Sequence, residues 1–213
     1  MRSLKRTVVL QVNPERPDKR SISLGAGMLR SGGLVAFPTE TVYGLGANLL
    51  DEKAIARLCR VKHRPKGKQF TVHIENISAI KKLKCEIPPA AGKLIDKYWP
   101  GPLTIILKSK DGARTGFRMP ANAVALALIR QAKVPVVAPS ANISGRRPPT
   151  GPEGVLKQLA GRIDLLLDAG PSEVGVESTV VDMTVSPPQI LRAGAIKRVE
   201  IFKALNPKSE YRI

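Results

Sequence analysis

The strongest constraint on this chain is an alternation. Short apolar runs with the character of buried strands take turns with segments whose apolar residues fall at helical spacing, and glycine or proline marks many of the junctions. Residues 7–12, 34–37, 70–74, 103–108, 134–138, 165–167, 179–182 and 189–192 read as strands. Leu24, Met28 and Leu29 predict a helix stopped by Gly32-Gly33. Asp51 reads as the N-cap of a helix that carries Ile55, Leu58 and Cys59 and that Pro65 terminates. Residues 90–98 and 123–131 are helical, the second with Val124, Leu128 and Ile129 on one face. Thr150 with Glu153 reads as a capping box, with Pro152 in the first turn, for a helix through Val155 and Leu159. A last helix starts near Ala195 and frays near Pro207. Such alternation predicts an α/β or α+β fold with one large mixed sheet. No repeat, long linker or shift in composition divides the chain, so residues 1–213 are expected to form a single domain.

At 213 residues the chain can bury roughly 70 % of its unfolded surface, so it needs no covalent staples. Its only cysteines are Cys59 and Cys85 and its only histidines His63 and His73, too few and too scattered for a structural zinc site. Two buried thiols in a cytoplasmic protein are expected rather than a bridge. The apolar run from Val8 to Val12 is too short for a signal-peptide core, and no apolar stretch approaches the length that crosses a membrane. Aromatic residues make up 4 %, which argues against an RNA-binding sheet paved with stacking rings. The charge is the unusual number: 35 Lys+Arg against 17 Asp+Glu, formally +18. It points to anionic partners, namely nucleic acid, nucleotide phosphates or an anionic membrane face.

Several segments could carry chemistry. Arg57, Arg60, Lys62, Arg64, Lys66 and Lys68 follow one another with no acid between. They are either a solvated face complementing a helix dipole or a cradle for polyphosphate, in which Arg supplies forked geometry and Lys a point charge. Ser140-Ala141-Asn142 follows an apolar strand, where α/β sheets bind ligands, though an ordinary polar turn would look the same. Pro38-Thr39-Glu40-Thr41-Val42-Tyr43-Gly44-Leu45-Gly46 reads as a strand running into a loop whose hydroxyls suit a small polar ligand. It is neither a dinucleotide fingerprint nor a Walker A loop. His73 shares a strand face with Thr71 and is either a core or surface histidine or a neutral hydrogen-bonding group in a pocket. Gly175-Val176-Glu177-Ser178-Thr179 and Arg192 also read simply as turn chemistry and a surface charge.

Taken together and in this order, the segment Pro38 to Gly46, Lys62-His63-Arg64-Pro65, Trp99-Pro100-Gly101-Pro102, Arg118-Met119-Pro120, Pro139-Ser140-Ala141-Asn142 and Gly175 to Thr179 resemble the YrdC-type threonylcarbamoyl-AMP synthase family. The resemblance covers residues 20–200. It implies a twisted mixed sheet flanked by helices around a concave basic cavity. It also implies a reaction in which L-threonine, bicarbonate and ATP give threonylcarbamoyl-AMP and pyrophosphate, the first step of tRNA threonylcarbamoyladenosine formation. Carried over by position, Lys62 and Arg64 contact phosphates and do the catalytic work, with Lys68 nearby. Thr39, Thr41, His73, Arg118, Ser140 and Ser178 hold threonine, with Arg118 facing its carboxylate. Asn142, Thr150 and Arg192 serve the nucleotide. Mg²⁺ arrives with ATP, held mostly by phosphates and water. A threonylcarbamoyl-transferase complex and tRNA are the implied partners, and the work is cytoplasmic.

This chain departs from the pattern in places. Many relatives carry Asn-Pro-Leu where it has Lys68-Gln69-Phe70, and the segment from Lys108 to Arg118 is shorter, so the contacts that the resemblance implies for that loop, Arg114 included, do not carry over by position. The sequence ends at Ile213, so any lid is expected from this domain. Two other functions fit the composition. A non-catalytic module for double-stranded RNA would suit the net charge but would not need a hydroxyl and an amide after a buried strand. A carbamoyl-transfer domain of the hydrogenase-maturation type usually accompanies zinc-finger cysteines. Most of the cation excess, including Arg2, Lys5, Arg6, Arg16, Lys19, Arg20 and the tail, lies outside every motif.

Overall fold

In the computed structural model, residues 6–65, 67 and 69–206 are described. Arg2, Lys5, Lys66, Lys68 and the tail from Pro207 lie outside them. In chain order the elements are β1 (Val8–Gln11), α1 (Lys19–Arg30), β2 (Val35–Phe37), β3 (Gly44–Asn48), α2 (Glu52–Lys62), β4 (Thr71–His73), α3 (Ser78–Lys82) and α4 (Pro89–Tyr98). They continue as β5 (Leu103–Lys108), β6 (Arg114–Arg118), α5 (Ala123–Ala132), β7 (Val136–Val137), α6 (Pro152–Leu159), β8 (Leu165–Asp168), β9 (Thr179–Asp182), β10 (Gln189–Arg192) and α7 (Arg198–Leu205). Among the described residues the strands form one ten-stranded sheet, ordered β1-β8-β2-β3-β7-β4-β6-β5-β9-β10. Pairing is mixed: β1–β8, β2–β8, β4–β6 and β5–β9 run parallel, and the other neighbours antiparallel.

The period-2 geometry of strands divides the apolar residues between two cores. Val35, Phe37, Leu165 and Leu167 join Ala26 and Leu29 of α1 and Val124 and Leu128 of α5 in one. Ala36, Leu166, Leu45 and Val72 join Leu58 of α2, Leu94 of α4, Val155 of α6 and Ile201 of α7 in the other. The strands β2 and β8, buried on both faces, therefore read as continuous apolar runs. Gly25 lets α1 approach α5, since a Cβ there would stand 2.9 Å from Leu128 Cδ1.

Three elements differ from the sequence expectation. The segment after Tyr43 is the strand β3, and its glycines serve packing: a Cβ at Gly46 would lie 3.0 Å from Phe37 Cε1. β6 has little apolar character of its own and forms because β4 and β5 pair with it on either side. The short helix α3 carried no clear period. The capping box is also corrected. Pro152 sits at the first helical position of α6, so the cap is Gly151, with no side-chain bond, and Glu153 falls one residue short of the reciprocal position. The Thr150 carbonyl instead accepts Ser172 N at 2.6 Å.

Asp51 does cap α2, accepting Lys53 N at 2.9 Å and Ala54 N at 3.1 Å. The helix closes on His63, two residues before Pro65, in the left-handed region (φ 50°), which delivers Arg64 to the following loop. Asp51→Ala should therefore cost about 1 kcal/mol of stability by denaturant unfolding. An unchanged midpoint would show that tertiary packing alone sets the start of α2.

Candidate functional site

A cavity of about 410 Å³ opens where the connections β2–β3, α2–β4 and β8–β9 and the segment after β7 meet over the sheet. Thr39, Arg64, Ser140 and Ser178 line it from those segments, and His73, Arg118 and Arg192 from the ends of β4, β6 and β10. The parallel register of β4 and β6 sets His73 beside Arg118.

Arg118 is 5 % exposed, so each of its partners matters. Its Nη2 donates to Thr41 Oγ1 at 2.8 Å and lies 2.9 Å from Glu40 Oε1, and its Nε donates to Gly101 O at 3.4 Å. The Trp99-to-Pro102 segment thus contributes a carbonyl that aims the guanidinium, itself held by Gly101 N donating to Met119 O at 2.8 Å. Burial works against the Arg118 charge and Glu40 supports it. Thr41 and Thr39 share a hydrogen bond of 2.9 Å, and Thr39 Oγ1 also donates to Val42 O at 2.6 Å, which closes the β2–β3 turn on itself.

Lys62 ends α2 and turns inward. Its ammonium, 2 % exposed, donates to Ser140 O and, at 2.7 Å, to Asn142 O. Asn142 Oδ1 lies 3.4 Å from the same ammonium and accepts Ser140 Oγ at 2.6 Å, while its amide donates to Ile143 O and Arg146 O. Lys62 and Asn142 therefore shape the post-β7 loop from behind, and Ser140 shows itself to the cavity. Arg64 lines the cavity wall, donating to Gln69 O at 2.6 Å and covering the Phe70 ring at 4.6 Å.

On the opposite wall Arg192 donates from Nη2 to Ser178 Oγ and from Nε to Ser178 O, each at 3.0 Å, and from Nη1 to Glu177 Oε1 at 2.6 Å. Thr104 on β5 bonds the Ser178 hydroxyl at 2.9 Å. Gly194 permits this arrangement, because a Cβ there would meet Glu177 O at 2.3 Å.

The structure thus brings most of the expected residues to one cavity, with Thr41, Lys62 and Asn142 directly behind its wall. Thr150 lines a neighbouring cavity of about 770 Å³ with Arg146, Arg147 and Lys157. Lys68 lies outside the described residues. Sequence reasoning missed Glu40, Thr104 and Gly101, which act through Arg118 and Ser178. Only their place inside the recognised segments could have flagged Glu40 and Gly101.

A family model, Sua5_yciO_yrdC, described as telomere recombination, matches residues 27–194. The chain belongs to the Sua5/YciO/YrdC family. It is 43 % identical to the threonylcarbamoyl-AMP synthase of Pyrococcus abyssi, over 93 % of this chain and 61 % of that protein. It is 41 % identical to that of Bacillus subtilis, over 87 % of this chain and 57 % of the relative. A crystal structure of P. abyssi Sua5 complexed with L-threonine superposes with a TM-score of 0.89 at 42 % identity, over 94 % of this chain and 61 % of that one. The chain thus spans about three-fifths of the length of these relatives.

In this Sua5/YciO/YrdC chain, His73 is neutral. Burial, then the Arg118 charge, push its pKa from 6.5 down to about 3. Its Nδ1 is buried and has no well-aligned hydrogen-bond partner among the described residues. Between those two values the unfolded chain binds the extra proton. The stability this group contributes is complete above 6.5 and is lost as pH falls toward 3. Urea unfolding between pH 7 and 4 should show a loss of up to about 1.4 kcal/mol per pH unit from this residue. His73→Gln should remove that component, and an identical acid slope in the variant would assign it elsewhere.

Proposed function

We propose that this chain makes threonylcarbamoyl-AMP from L-threonine, bicarbonate and ATP. The observation that carries the reading is the buried Arg118. Thr41, Glu40 and Gly101 engage Nη2 and Nε, and its Nη1 has no described partner. A cation so placed suits a small carboxylate. Around it stand hydroxyls of Thr39, Ser140 and Ser178 and the neutral imidazole of His73, groups that orient a polar amino acid without adding charge. The resemblance to an enzyme crystallised with L-threonine supports the same ligand.

The chemistry asks little covalent work of the protein. The free amine of threonine attacks bicarbonate, giving a carbamate and water. A carbamate oxygen then attacks the α-phosphorus of ATP, and pyrophosphate leaves. Placing three anions together is the difficulty, so catalysis is positioning and charge stabilisation. Arg64 on the cavity wall serves the phosphates, with Lys68 four residues further along the sequence as a second candidate, while Lys62 behind the wall holds the loop that frames them. Asn142, Thr150 and Arg192 serve the rest of the nucleotide.

Mg²⁺ enters as part of the ATP. Glu177 is a carboxylate of the cavity wall already engaged by Arg192, and the described residues hold no cluster of three His, Cys, Asp or Glu side chains. Such a donor set fits a cation held by phosphate oxygens and water. The product passes to a threonylcarbamoyl-transferase complex acting on tRNA in the cytoplasm. No helix among the described residues is long and apolar enough to cross a membrane.

Purified protein should release pyrophosphate from ATP and Mg²⁺ only when threonine and bicarbonate are both present. Threonine-independent release would overturn the reading. Arg64→Ala should lower kcat/KM for ATP at least about tenfold, the worth of a hydrogen bond to a charged group, with the thermal midpoint retained. Unaltered ATP kinetics would place the phosphates elsewhere.

A further inference from the structure

Among the described residues Glu40 is the side chain with two buried oxygens that accept no well-aligned hydrogen bond. It is 5 % exposed, and neither carboxylate oxygen accepts a hydrogen bond from any described group. Its ion-pair partner among the described residues is Arg118, whose Nη2 lies 2.9 Å from Oε1 but is poorly aligned to donate to it. That nitrogen donates instead to Thr41 Oγ1. The contact is therefore Coulombic, without the bonds that usually offset the burial of a carboxylate. A buried pair of this kind is a poor source of stability, since an apolar pair of the same volume would serve the fold as well.

The placement suggests what it does serve. Glu40 lies in the β2–β3 turn between Thr39 and Thr41, and its carbonyl accepts Val174 N at 2.8 Å, tying the β8–β9 connection to the same spot. Arg118 comes from the end of β6. Glu40 and Thr41 occupy one edge of the guanidinium and Gly101 O its Nε, so the Nη1 edge is turned to the cavity. Without an anion behind it, a buried guanidinium would swing toward whatever acceptor or water is in reach.

We propose that Glu40 is a positioning residue that holds Arg118 charged and aimed, so that its Nη1 edge meets the carboxylate of the amino-acid substrate. The proposal rests on the substrate reading above, and the first measurement below is independent of it. In ligand-free protein labelled with ¹⁵N-arginine, Arg118→Lys identifies the Arg118 Nε–H resonance. Glu40→Gln, which keeps the shape and removes the charge, should accelerate hydrogen exchange at that site by about tenfold or more. Glu40→Asp, charged but one methylene shorter, should fall between and also carries the test if the Gln variant does not fold. In turnover, Glu40→Gln should raise KM for L-threonine about tenfold while KM for ATP and kcat stay within about twofold. Unchanged Arg118 exchange in a folded Glu40→Gln protein would overturn the proposal. So would equal rises in both KM values, or a fall in kcat alone, which are the marks of a merely structural role. Faster exchange in the variant, in a protein that shows no threonine-dependent turnover, would leave Glu40 holding Arg118 and remove only the substrate reading.

Discussion

The Lys62 ammonium is the contact on which the site depends. A lysine 2 % exposed is costly unless its three donors are satisfied, and the Ser140 and Asn142 backbone carbonyls together with Asn142 Oδ1 satisfy them. Those carbonyls belong to a loop with little repetitive structure. The ammonium therefore acts as a stud, joining the C-terminus of α2 to the segment after β7. Ser144 N completes the join by donating to Lys62 O at 2.7 Å. The next residue along, the left-handed His63, sends the chain back so that Arg64 faces the cavity. One buried charge thus fixes both the loop that presents Ser140 and the turn that presents Arg64.

A second buried cation, Arg118, performs the same service on the other side. Its acceptors come from the β2–β3 turn and from the Trp99-to-Pro102 segment, neither of which is regular structure. A third cation, Arg192, ties the strand β10 to Ser178. Each wall of the cavity is a loop pinned by a cation. This is a rigid solution for a site built from loops, because hydrogen bonds from charged donors are stronger and more directional than apolar contact. It also explains why so many polar groups are buried beside a core that is otherwise aliphatic.

Much of the architecture was legible because strands buried on both faces leave continuous apolar runs and because caps such as Asp51 are local. What escaped was set by partners distant in sequence. β6 lacks an apolar signature and exists only through β4 and β5. The glycines of β3 resemble a loop until the Phe37 ring is placed against them. The start of α6 turned on a single residue of register that Pro152 decides and composition does not. In the site, the residues of the ordered motifs were found by resemblance, while Thr104 was invisible because its only distinction is a hydroxyl facing Ser178 across two strands.

The cationic run from Arg57 onward shows how a linear pattern can mislead. Read as a line it is one patch. A helix turns by about 100° per residue, so neighbouring cations leave on different faces. Arg57 pairs with Asp164, which also accepts Leu34 N and so braces α2 against the sheet. Arg60 joins the exposed or half-exposed face, Lys62 points inward and Arg64 reaches the cavity. Within the site itself, Glu40 stands beside Arg118 and Glu177 beside Arg192, so much of the local positive charge is already countered. The formal +18 therefore describes the surface more than the cavity. What the cavity offers an anion is not a reservoir of charge but a few fixed donors, and that is the property a site for small, crowded anions needs.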